Sequence, residues 1–487
     1  MKRRPNIVFI LTDDQGPWAM HCAGNEEIQT PNLDRIAENG IRFTNFFCAS
    51  PVCSPARASI LTGRIPSGHG VHDWLCSGNV NREDLGDLKE HPYYTHEREA
   101  IRYLDGMLGY TDILAKEGYQ CALSGKWHLG DSLHPQHGFS RWFTIGRGGC
   151  HYYEPDMVED GTIYLDHRYV TDLITEKALV FLEEMEKEDK PFYLSVHYTA
   201  PHSPWEESEH PKEMIERYRD CPFLSVPDLP IHPNQVASAP YGTGERRKEL
   251  LRGYYAAVTA MDRGVGQILD WLEERGELEH TLLFFMGDNG MNMGHHGIWG
   301  KGNGTFPPNF FDTSVKVPFL VSWPDVLPKK RVTDAMCSQY DFMETLLDLL
   351  DMEEEIPKEL ADSLPGKSFK EVLVSGKETE ERAIMIFDEY GPNRMIRTKE
   401  WKLVHRYPYG PDELYHLTED PDEQINLAEE EGFREIREGL LDQMIRWFDR
   451  YVDPRMDAAR EAVTGFGQIG RCGYYSEGKK VYLKEKE

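Results

Sequence analysis

Long hydrophobic runs are absent from this chain of 487 residues. No apolar stretch approaches the roughly 20 residues that span a bilayer, which excludes a membrane-spanning protein. Basic residues are scarce relative to acidic ones, 54 Lys and Arg against 83 Asp and Glu, and the net charge is −29. Nucleic acid and anionic membranes require a basic face, so neither is expected as a partner. A small anionic substrate is compatible with this acidic charge only if basic side chains or a metal gather at its binding site.

Neither a secretory leader nor a disulfide framework is expected from the sequence. The basic start 1–4 is followed by the apolar stretch 7–11, which runs directly into Thr12-Asp13-Asp14. A signal peptide needs about 7 to 15 apolar residues and a small-residue cleavage site. The cysteines number nine, an odd count with uneven spacing, which indicates reduced thiols. We therefore expect a cytoplasmic protein.

The chain alternates buried-strand patterns with amphipathic helical ones over 1–350, which predicts an α/β fold with a large, mostly parallel sheet sandwiched by helices. Near 352–381 the chain becomes acidic and loses periodicity, so we place a boundary there. A large first domain is expected at 1–352 and a smaller C-terminal α+β subdomain, with an antiparallel sheet and a closing helix, at 383–487. The predicted strands are 7–11, 120–124, 192–196, 282–286 and 319–322, then 383–387, 395–398, 401–405 and 414–417; the predicted helices include 166–186, 246–275 and 433–451. The weakly patterned tail from residue 453 carries no structural prediction.

Two of the predicted strands end in acidic loops. Strand 7–11 leads into Asp13 and Asp14, and strand 282–286 leads into Asp288 and Asn289. Ligands collect at the carboxyl ends of parallel strands, so these tips are expected to meet. Carboxylate and amide oxygens suit Ca²⁺, with Mg²⁺ as the alternative because it demands a stricter octahedron. Taken singly, each motif is equally consistent with a helix cap or a turn.

Cys53 lies just before the predicted start of a helix. Ser54 is the expected N-cap, Pro55 the first helical residue, and Gly63 the C-terminal cap. Free N–H groups and the positive end of the helix dipole favour an anion or an activated nucleophile at that place. The helix start alone leaves open that Cys53 is one more buried thiol.

The stretch Cys53-x-Pro55-x-Arg57, continuing into Leu61-Thr62-Gly63-Arg64, resembles the signature of the formylglycine-dependent sulfatases of the alkaline phosphatase superfamily. Further blocks typical of that family follow in its order across most of residues 1–420 and include Asp13-Asp14, 125–130, His202, Asp288-Asn289-Gly290, His296-Gly297, Lys301, 315–318, 401–403 and 413–415. The resemblance implies an alkaline phosphatase-like fold and the hydrolysis of sulfuric esters.

The same resemblance implies a modified nucleophile. In that family a maturation enzyme oxidises the cysteine to formylglycine, and this enzyme would be a transient partner, an oxygen-independent one if the chain is cytoplasmic. The aldehyde is hydrated to a diol, of which one hydroxyl, held by the metal, attacks sulfur. The second hydroxyl then loses its proton, and collapse to the aldehyde expels sulfate. Motif matching assigns the metal shell to Asp13, Asp14, Asp288, Asn289 and the modified Cys53.

Motif matching also assigns roles to five further residues. Arg57 would steady the diol oxygens and the metal carboxylates through its planar fork. Lys126 and Lys301 would hold the sulfate oxygens. His128 would accept the diol proton and His202 would protonate the leaving oxygen. The alternative is that the lysines are solvated surface charges and the histidines ordinary core or surface residues.

Four residues are expected near the leaving group. His197 follows strand 192–196, His296 follows the metal loop, Trp74 could stack on a ring, and Arg394 could reach a sugar carboxylate. Each is also compatible with simple packing or turn capping. We expect a small anionic sulfate ester as substrate, preferably a sulfated sugar such as a glycosaminoglycan fragment attacked from its end, with aryl or steroid sulfates as the rival.

Two other functions compete with this hypothesis. A phosphonate or phosphate ester hydrolase of the same superfamily could use the same diol and metal. An inactive scaffold that binds a protein through its acidic surface is the second alternative. It is disfavoured because every proposed catalytic group is present, including Cys53.

Overall fold

The computed structural model describes residues 4–95, 97–378, 382–387, 393–407 and 410–484. The strands are β1 (Asn6–Thr12), β2 (Gly40–Phe43), β3 (Phe46–Phe47), β4 (Gln120–Gly125), β5 (Arg141–Ile145), β6 (Asp156–Glu159), β7 (Thr162–Leu165), β8 (Phe192–His197), β9 (Thr281–Gly287), β10 (Asn292–Met293), β11 (Trp299–Gly300), β12 (Phe319–Ser322), β13 (Arg331–Thr333), β14 (Cys337–Ser338), β15 (Ile384–Phe387), β16 (Asn393–Arg397), β17 (Trp401–Arg406) and β18 (Glu413–His416).

The helices lie between these strands and after them. They are α1 (Pro31–Glu38), α2 (Cys53–Thr62), α3 (Pro66–His69), α4 (Tyr110–Lys116), α5 (Val170–Met185), α6 (Lys212–Glu216), α7 (Gly244–Glu274), α8 (Asp312–Val315), α9 (Phe342–Leu349), α10 (Lys358–Ala361), α11 (Lys370–Ser375) and α12 (Arg434–Tyr451). No helix within the described residues is both long enough and apolar enough to cross a bilayer.

Ten strands form the central sheet in the order β13-β2-β12-β9-β1-β8-β4-β5-β6-β7. The five middle strands β9, β1, β8, β4 and β5 run parallel. On one side β12 is antiparallel to both β9 and β2, and on the other β6 and β7 are antiparallel additions. The prediction of a large, mostly parallel sheet is confirmed, with antiparallel strands towards its edges.

Both faces of the central sheet are covered by helices. Successive side chains of a strand point to opposite faces, so β1 contributes Ile7, Phe9 and Leu11 to one core and Val8 and Ile10 to the other. The first core includes residues of α2, α4 and α9, and the second includes residues of α1, α5 and α7. A strand buried on both faces explains the continuous apolar run at residues 7–11.

The C-terminal part forms a separate antiparallel sheet in the order β15-β16-β17-β18. Helix α12 packs across it through Leu440, Met444 and Phe448, as expected for the closing helix. The same core contains Ala49 and Ile65, which flank α2. The small sheet therefore supports the helix that begins at Cys53.

Two segments without clear patterns pack firmly. The acidic stretch after residue 352 contributes Ile356, Phe369 and Leu373 to the core of the large sheet, so it packs with the first domain. In the tail, Gln468 is fully buried and its backbone pairs with that of Leu75 in a short bridge. The tail thus returns to the large domain beside α2 and α3.

Candidate active site

The two acidic strand tips meet, as the sequence predicted. β1 and β9 are neighbours, and the N–H of Asp288 donates to the carbonyl of Thr12 at 3.0 Å. The N–H of Asp14 donates to Asp288 Oδ1 at 3.2 Å. Carboxylate oxygens of Asp13, Asp14 and Asp288 all lie within 4.8 Å of one another, and all three residues are buried.

Two residues that the sequence patterns did not single out hold these loops in place. The hydroxyl of Tyr254, on α7, donates to the carbonyl of Asp14 at 3.0 Å, where the backbone has a φ of 60°. Gln339 Nε2 donates to the carbonyl of Asp288 at 2.7 Å, and its Oε1 accepts from the N–H of Ala49 at 3.1 Å. Both look like ordinary core residues in the sequence, so no local signal marks them.

Each carboxylate has its own buried cation. Lys126 Nζ is 2.5 Å from Asp13 Oδ2, and Lys301 Nζ is 2.6 Å from Asp14 Oδ1. Arg57 places both Nε and Nη2 3.0 Å from Asp288 Oδ2. Lys126 is 0% exposed and Lys301 8% exposed, which excludes the surface-charge alternative for both. The cluster is therefore a compact set of opposing charges shielded from solvent.

The electrostatics of the cluster depend on these pairs. Burial opposes the charge on Asp13, but Lys126, His202, Arg57 and Lys301 together hold its pKa well below the ordinary value. Burial and the neighbouring Asp13 raise the pKa of Asp288 well above its ordinary value. The pKa of Lys301 is raised, against the effect of burial, chiefly by Asp14 and by the charge at Cys53. The charge balance of the cluster therefore depends on the cations packed against its carboxylates.

The donor set fits a hard divalent cation. Asp13 Oδ1 is buried and has no hydrogen-bond partner among the residues that the structure describes. Asn289 lies against the same group, with its Nδ2 2.8 Å from Asp14 Oδ1. A buried carboxylate oxygen without a partner is costly unless a ligand satisfies it. Clustered carboxylate and amide oxygens are the ligands that Ca²⁺ and Mg²⁺ prefer.

Cys53 is the first residue of α2 and is 4% exposed. Arg57, one turn further along α2, lies 3.0 Å from Asp288 Oδ2, so the start of this helix adjoins the cluster. The predicted cap is wrong in detail, because Val52 is the N-cap and Ser54 lies inside the first turn. The Ser54 hydroxyl instead accepts a hydrogen bond from the N–H of Leu75 at 3.2 Å, so it ties α2 to another loop.

His128 is held as a neutral base. Its Nε2 lies 3.0 Å from the carbonyl of Leu75, which can only accept, so Nε2 carries the proton. Nδ1 is buried and has no partner within the described ranges of the chain, which leaves its lone pair free to accept a proton. Burial, followed by the charge of Lys126, lowers the pKa of His128 well below 6.5.

His202 stands on the open side of the cluster. Its Nε2 is 3.7 Å from Asp14 Oδ2, and its side chain is 28% exposed. The ring Nδ1 lies 2.7 Å from the carbonyl of Ser203, so it donates there and leaves Nε2 directed at the cluster. The cluster is therefore accessible to solvent on the side of His202.

Two residues expected near the leaving group have partners inside the protein, and their contacts to substrate stay predictions. His197 uses both ring nitrogens inside the protein, with Nδ1 3.0 Å from the carbonyl of Lys126 and Nε2 2.7 Å from Ser195 Oγ. It therefore helps to position the backbone of Lys126. Arg394 lies 4.1 Å above the ring of Phe448, and its Nη2 is 3.5 Å from Asp457 Oδ1, so its guanidinium already has partners within the protein.

The other two expected contacts lie on loops that adjoin the cluster. Trp74 precedes Leu75 and is 36% exposed, with its Nε1 3.3 Å from the carbonyl of Gly465 in the tail. The ring of His296 stacks on Phe311 with centroids 3.8 Å apart. Burial, then the charge of Lys402, lowers the pKa of His296 to about 4. Substrate contacts by Trp74 and His296 remain predictions.

The mixed α/β sheet, with buried carboxylates, lysines and histidines gathered at the ends of its strands, defines a hydrolase of the alkaline phosphatase superfamily. Residues 5–352 match the sulfatase family model, and residues 295–449 match the model described as N-sulphoglucosamine sulphohydrolase, C-terminal. The chain belongs to the sulfatase family and is a sulfuric ester hydrolase.

Individual relatives cover nearly the whole chain. The N-acetylglucosamine-6-O-sulfatase of Bacteroides thetaiotaomicron is 28% identical over 530 residues, which cover 93% of this chain and 87% of that protein. The arylsulfatase of Clostridium perfringens is 27% identical over 484 residues, covering 92% and 96%. A solved protein in complex with its substrate D-glucosamine-2-N,6-O-disulfate shares the fold, with a TM-score of 0.75, 24% identity and coverage of 94% and 100%.

Proposed function

We propose that this hydrolase removes O-sulfate from a small sulfated sugar, with formylglycine formed at Cys53 as the nucleophile and Ca²⁺ as the bound metal. The N-acetylglucosamine-6-O-sulfatase relative and the ulvan-active sulfatase of Formosa agariphila, 29% identical over 458 residues, support a carbohydrate substrate. The observation that carries the proposal is the buried trio Asp13, Asp14 and Asp288 beside Cys53.

The metal would be held by the three carboxylates and by Asn289. When bound, it would supply positive charge that favours an ionised hydroxyl at residue 53 and offsets the charge of the sulfate group. Ca²⁺ is favoured over Mg²⁺ because it tolerates a larger and less regular set of oxygens. Asp13 Oδ1 lacks a hydrogen bond among the described residues, so it is available to coordinate the cation.

The protein's own groups divide the remaining work. Arg57 fixes the orientation of Asp288 and donates through Nη1 to the carbonyl of Lys126 at 3.0 Å, so it links the metal loop to the sulfate-binding side. Lys126 and Lys301 are fixed positive charges that lower the energy of the sulfuryl group as negative charge builds on its oxygens. Because both lysines are already desolvated, their attraction is stronger than in water.

Two histidines move protons on opposite sides of the reaction. His128 accepts the hydroxyl proton of residue 53 at Nδ1, since Nε2 is committed to Leu75. His202 protonates the leaving sugar oxygen through Nε2, since Nδ1 is committed to Ser203. These hydrogen bonds fix which nitrogen of each ring takes part, a condition for efficient proton transfer.

Peptide mass spectrometry across residue 53 on active protein tests the nucleophile. We expect formylglycine there, and we expect Cys53→Ala to lower kcat by about 10⁴-fold or more, since removal of a nucleophile has effects of that scale. Cys48→Ala is the matched control, because Cys48 is also buried near the cluster and has no assigned role. An unmodified thiol in fully active protein, or turnover that survives exhaustive chelation, would contradict the proposal.

Comparing sulfate and phosphonate esters of one phenol separates the proposal from its main rival. The phosphonate monoester hydrolase of Agrobacterium radiobacter shares the fold, with a TM-score of 0.67 and 20% identity. We expect a higher kcat/KM for the sulfate ester. A preference for the phosphonate ester would assign the chain to that activity.

A further inference from the structure

The loop between β5 and β6 forms one wall of the active site. A Cβ atom at Gly148 would lie 2.1 Å from His128 Nε2, so the Gly148 backbone packs directly on that ring. A Cβ atom at Gly149 would lie 3.6 Å from His202 Cε1. The loop therefore passes from one proposed proton-transfer group to the other. The residues that flank Gly148 and Gly149 in this loop therefore lie near His202, on the side from which the leaving group is proposed to depart.

Arg147, the residue before this glycine pair, is held in a defined position. Its guanidinium carbon lies 3.9 Å from the centre of the Tyr93 ring, and its Nε is 3.0 Å from Asp156 Oδ2. Asp156 is fully buried and also accepts from the hydroxyl of Tyr94. An arginine carries five N–H donors, and the bond to Asp156 uses the one on Nε. The side chain of Arg147 is 20% exposed, so part of it faces solvent.

Aromatic rings lie beside Arg147. The rings of Tyr93 and His151 are stacked, with centroids 6.0 Å apart and an interplanar angle of 23°. Arg147 directly precedes Gly148, whose backbone packs on the His128 ring, so this arginine lies on the same wall of the site as that histidine. The chain has a net charge of −29, so most of its surface repels anions. An arginine held in a fixed orientation beside the reacting centre is suited to bind one there.

We propose that Arg147, seated on Tyr93 and Asp156, is an anion subsite that binds a second negative group, sulfate or carboxylate, on the leaving sugar. The proposal rests on the proposed sulfatase activity towards sugars and specifies the substrate as one that carries two anionic groups. It gives the role once expected of Arg394 to an arginine that adjoins the catalytic histidines.

The test compares two sugars that share the 6-O-sulfate ester. D-glucosamine-2-N,6-O-disulfate carries a second anion, whereas N-acetylglucosamine-6-O-sulfate carries a neutral amide at the same position. The variant is the pair Arg147→Met with Asp156→Asn, which removes the cation without leaving a buried carboxylate unpaired. The measured quantity is the ratio of kcat/KM for the disulfate to kcat/KM for the monosulfate. We expect this ratio to be about tenfold or more lower in the variant than in the unaltered protein, because a hydrogen bond to a charged group is lost.

The matched control is the pair Arg394→Met with Asp457→Asn. Arg394 also lies over an aromatic ring and is 3.5 Å from an aspartate, but it sits in the small sheet, so the ratio should not change. Calorimetric binding of both sugars to Cys53→Ala protein, with and without the Arg147 pair, gives a readout that does not need turnover. Failure of the unaltered protein to hydrolyse either sugar would count against the proposed function alone. Equal affinity for the two sugars, or a ratio that the Arg147 pair leaves unchanged, would overturn the subsite.

Discussion

Replacing Gln468 with alanine tests whether the C-terminal tail positions a catalytic histidine. Gln468 is 0% exposed, and its Oε1 accepts from the N–H of His72 at 2.9 Å. Its Nε2 donates to two backbone carbonyls at 2.9 Å each, one of them that of Gly70. The loop that it holds includes Leu75, whose carbonyl orients His128 at 3.0 Å.

The expected magnitude follows from these contacts. Gln468→Ala removes the three hydrogen bonds that join this side chain to the loop, which involve the N–H groups of His72 and Asp73 and the carbonyl of Gly70. At about 1 kcal/mol for each lost hydrogen bond, docking of the tail on the loop weakens by about 3 kcal/mol, a factor of about 10². The Leu75 carbonyl then no longer fixes the proton on Nε2 of His128. We expect kcat to fall at least about tenfold, with metal binding preserved.

The pH dependence gives an independent readout. Burial lowers the pKa of His128, so in the intact protein the base stays neutral well below pH 6.5. When the loop loosens and water enters, this pKa rises towards its ordinary value, and protonation removes the base at a higher pH. The acid limb of the kcat/KM profile should therefore move to higher pH in Gln468→Ala.

The control is Gln424→Ala, since Gln424 is exposed and, within the part of the chain that the structure describes, its side chain donates only to the carbonyl of Asp422, at 2.7 Å. Activity on the sugar sulfate and urea unfolding should be measured on both variants. If Gln468→Ala loses stability but keeps kcat within about twofold and its acid limb in place, the tail has a structural role only.

Two further predictions concern the wall and the metal. Gly148→Ala should lower kcat about tenfold or more, because its Cβ would lie 2.1 Å from His128 Nε2. Gly149→Ala is the control, and its kcat should stay near wild type because its Cβ would lie 3.6 Å from His202 Cε1. Equal effects of the two changes on kcat would contradict the packing described. Chelation should lower Tm by about 3 °C, since Ca²⁺ at 100 times its Kd stabilises by about 2.7 kcal/mol and a chain of 487 residues unfolds with an entropy of about 1 kcal/mol/K. Asp13→Asn should abolish that shift, and a Tm that is insensitive to chelation would argue against the metal.

Local patterns were sufficient for most of the framework. Strands buried on both faces read as short apolar runs, and each of the five predicted in the large sheet lies within one residue of its observed bounds. The acidic tips at Asp13 and Asp288 were predictable because strand polarity places them at the same edge of the sheet. Lys126 and Lys301 were identified from the family resemblance, and the structure places both against the carboxylates.

Contacts between distant segments were not predictable from local pattern. His197 and Arg394 carry suitable functional groups, but only the packing around them shows that their nitrogens or guanidinium are used inside the protein. The irregular tail has no hydrophobic period, so its docking through Gln468 left no signal in the sequence.

By itself the sequence determined the α/β framework, the oxygen-rich strand tips and the position of Cys53 at a helix start, because period, polarity and motif are local properties. Only the tertiary structure decided which nitrogen of each histidine is free, which buried side chains brace the acidic loops, and which partners Arg147 and Arg394 have. Those features depend on side chains separated by tens to hundreds of residues. Their distances and burial exist only after the sheet, its helices and the tail have packed together.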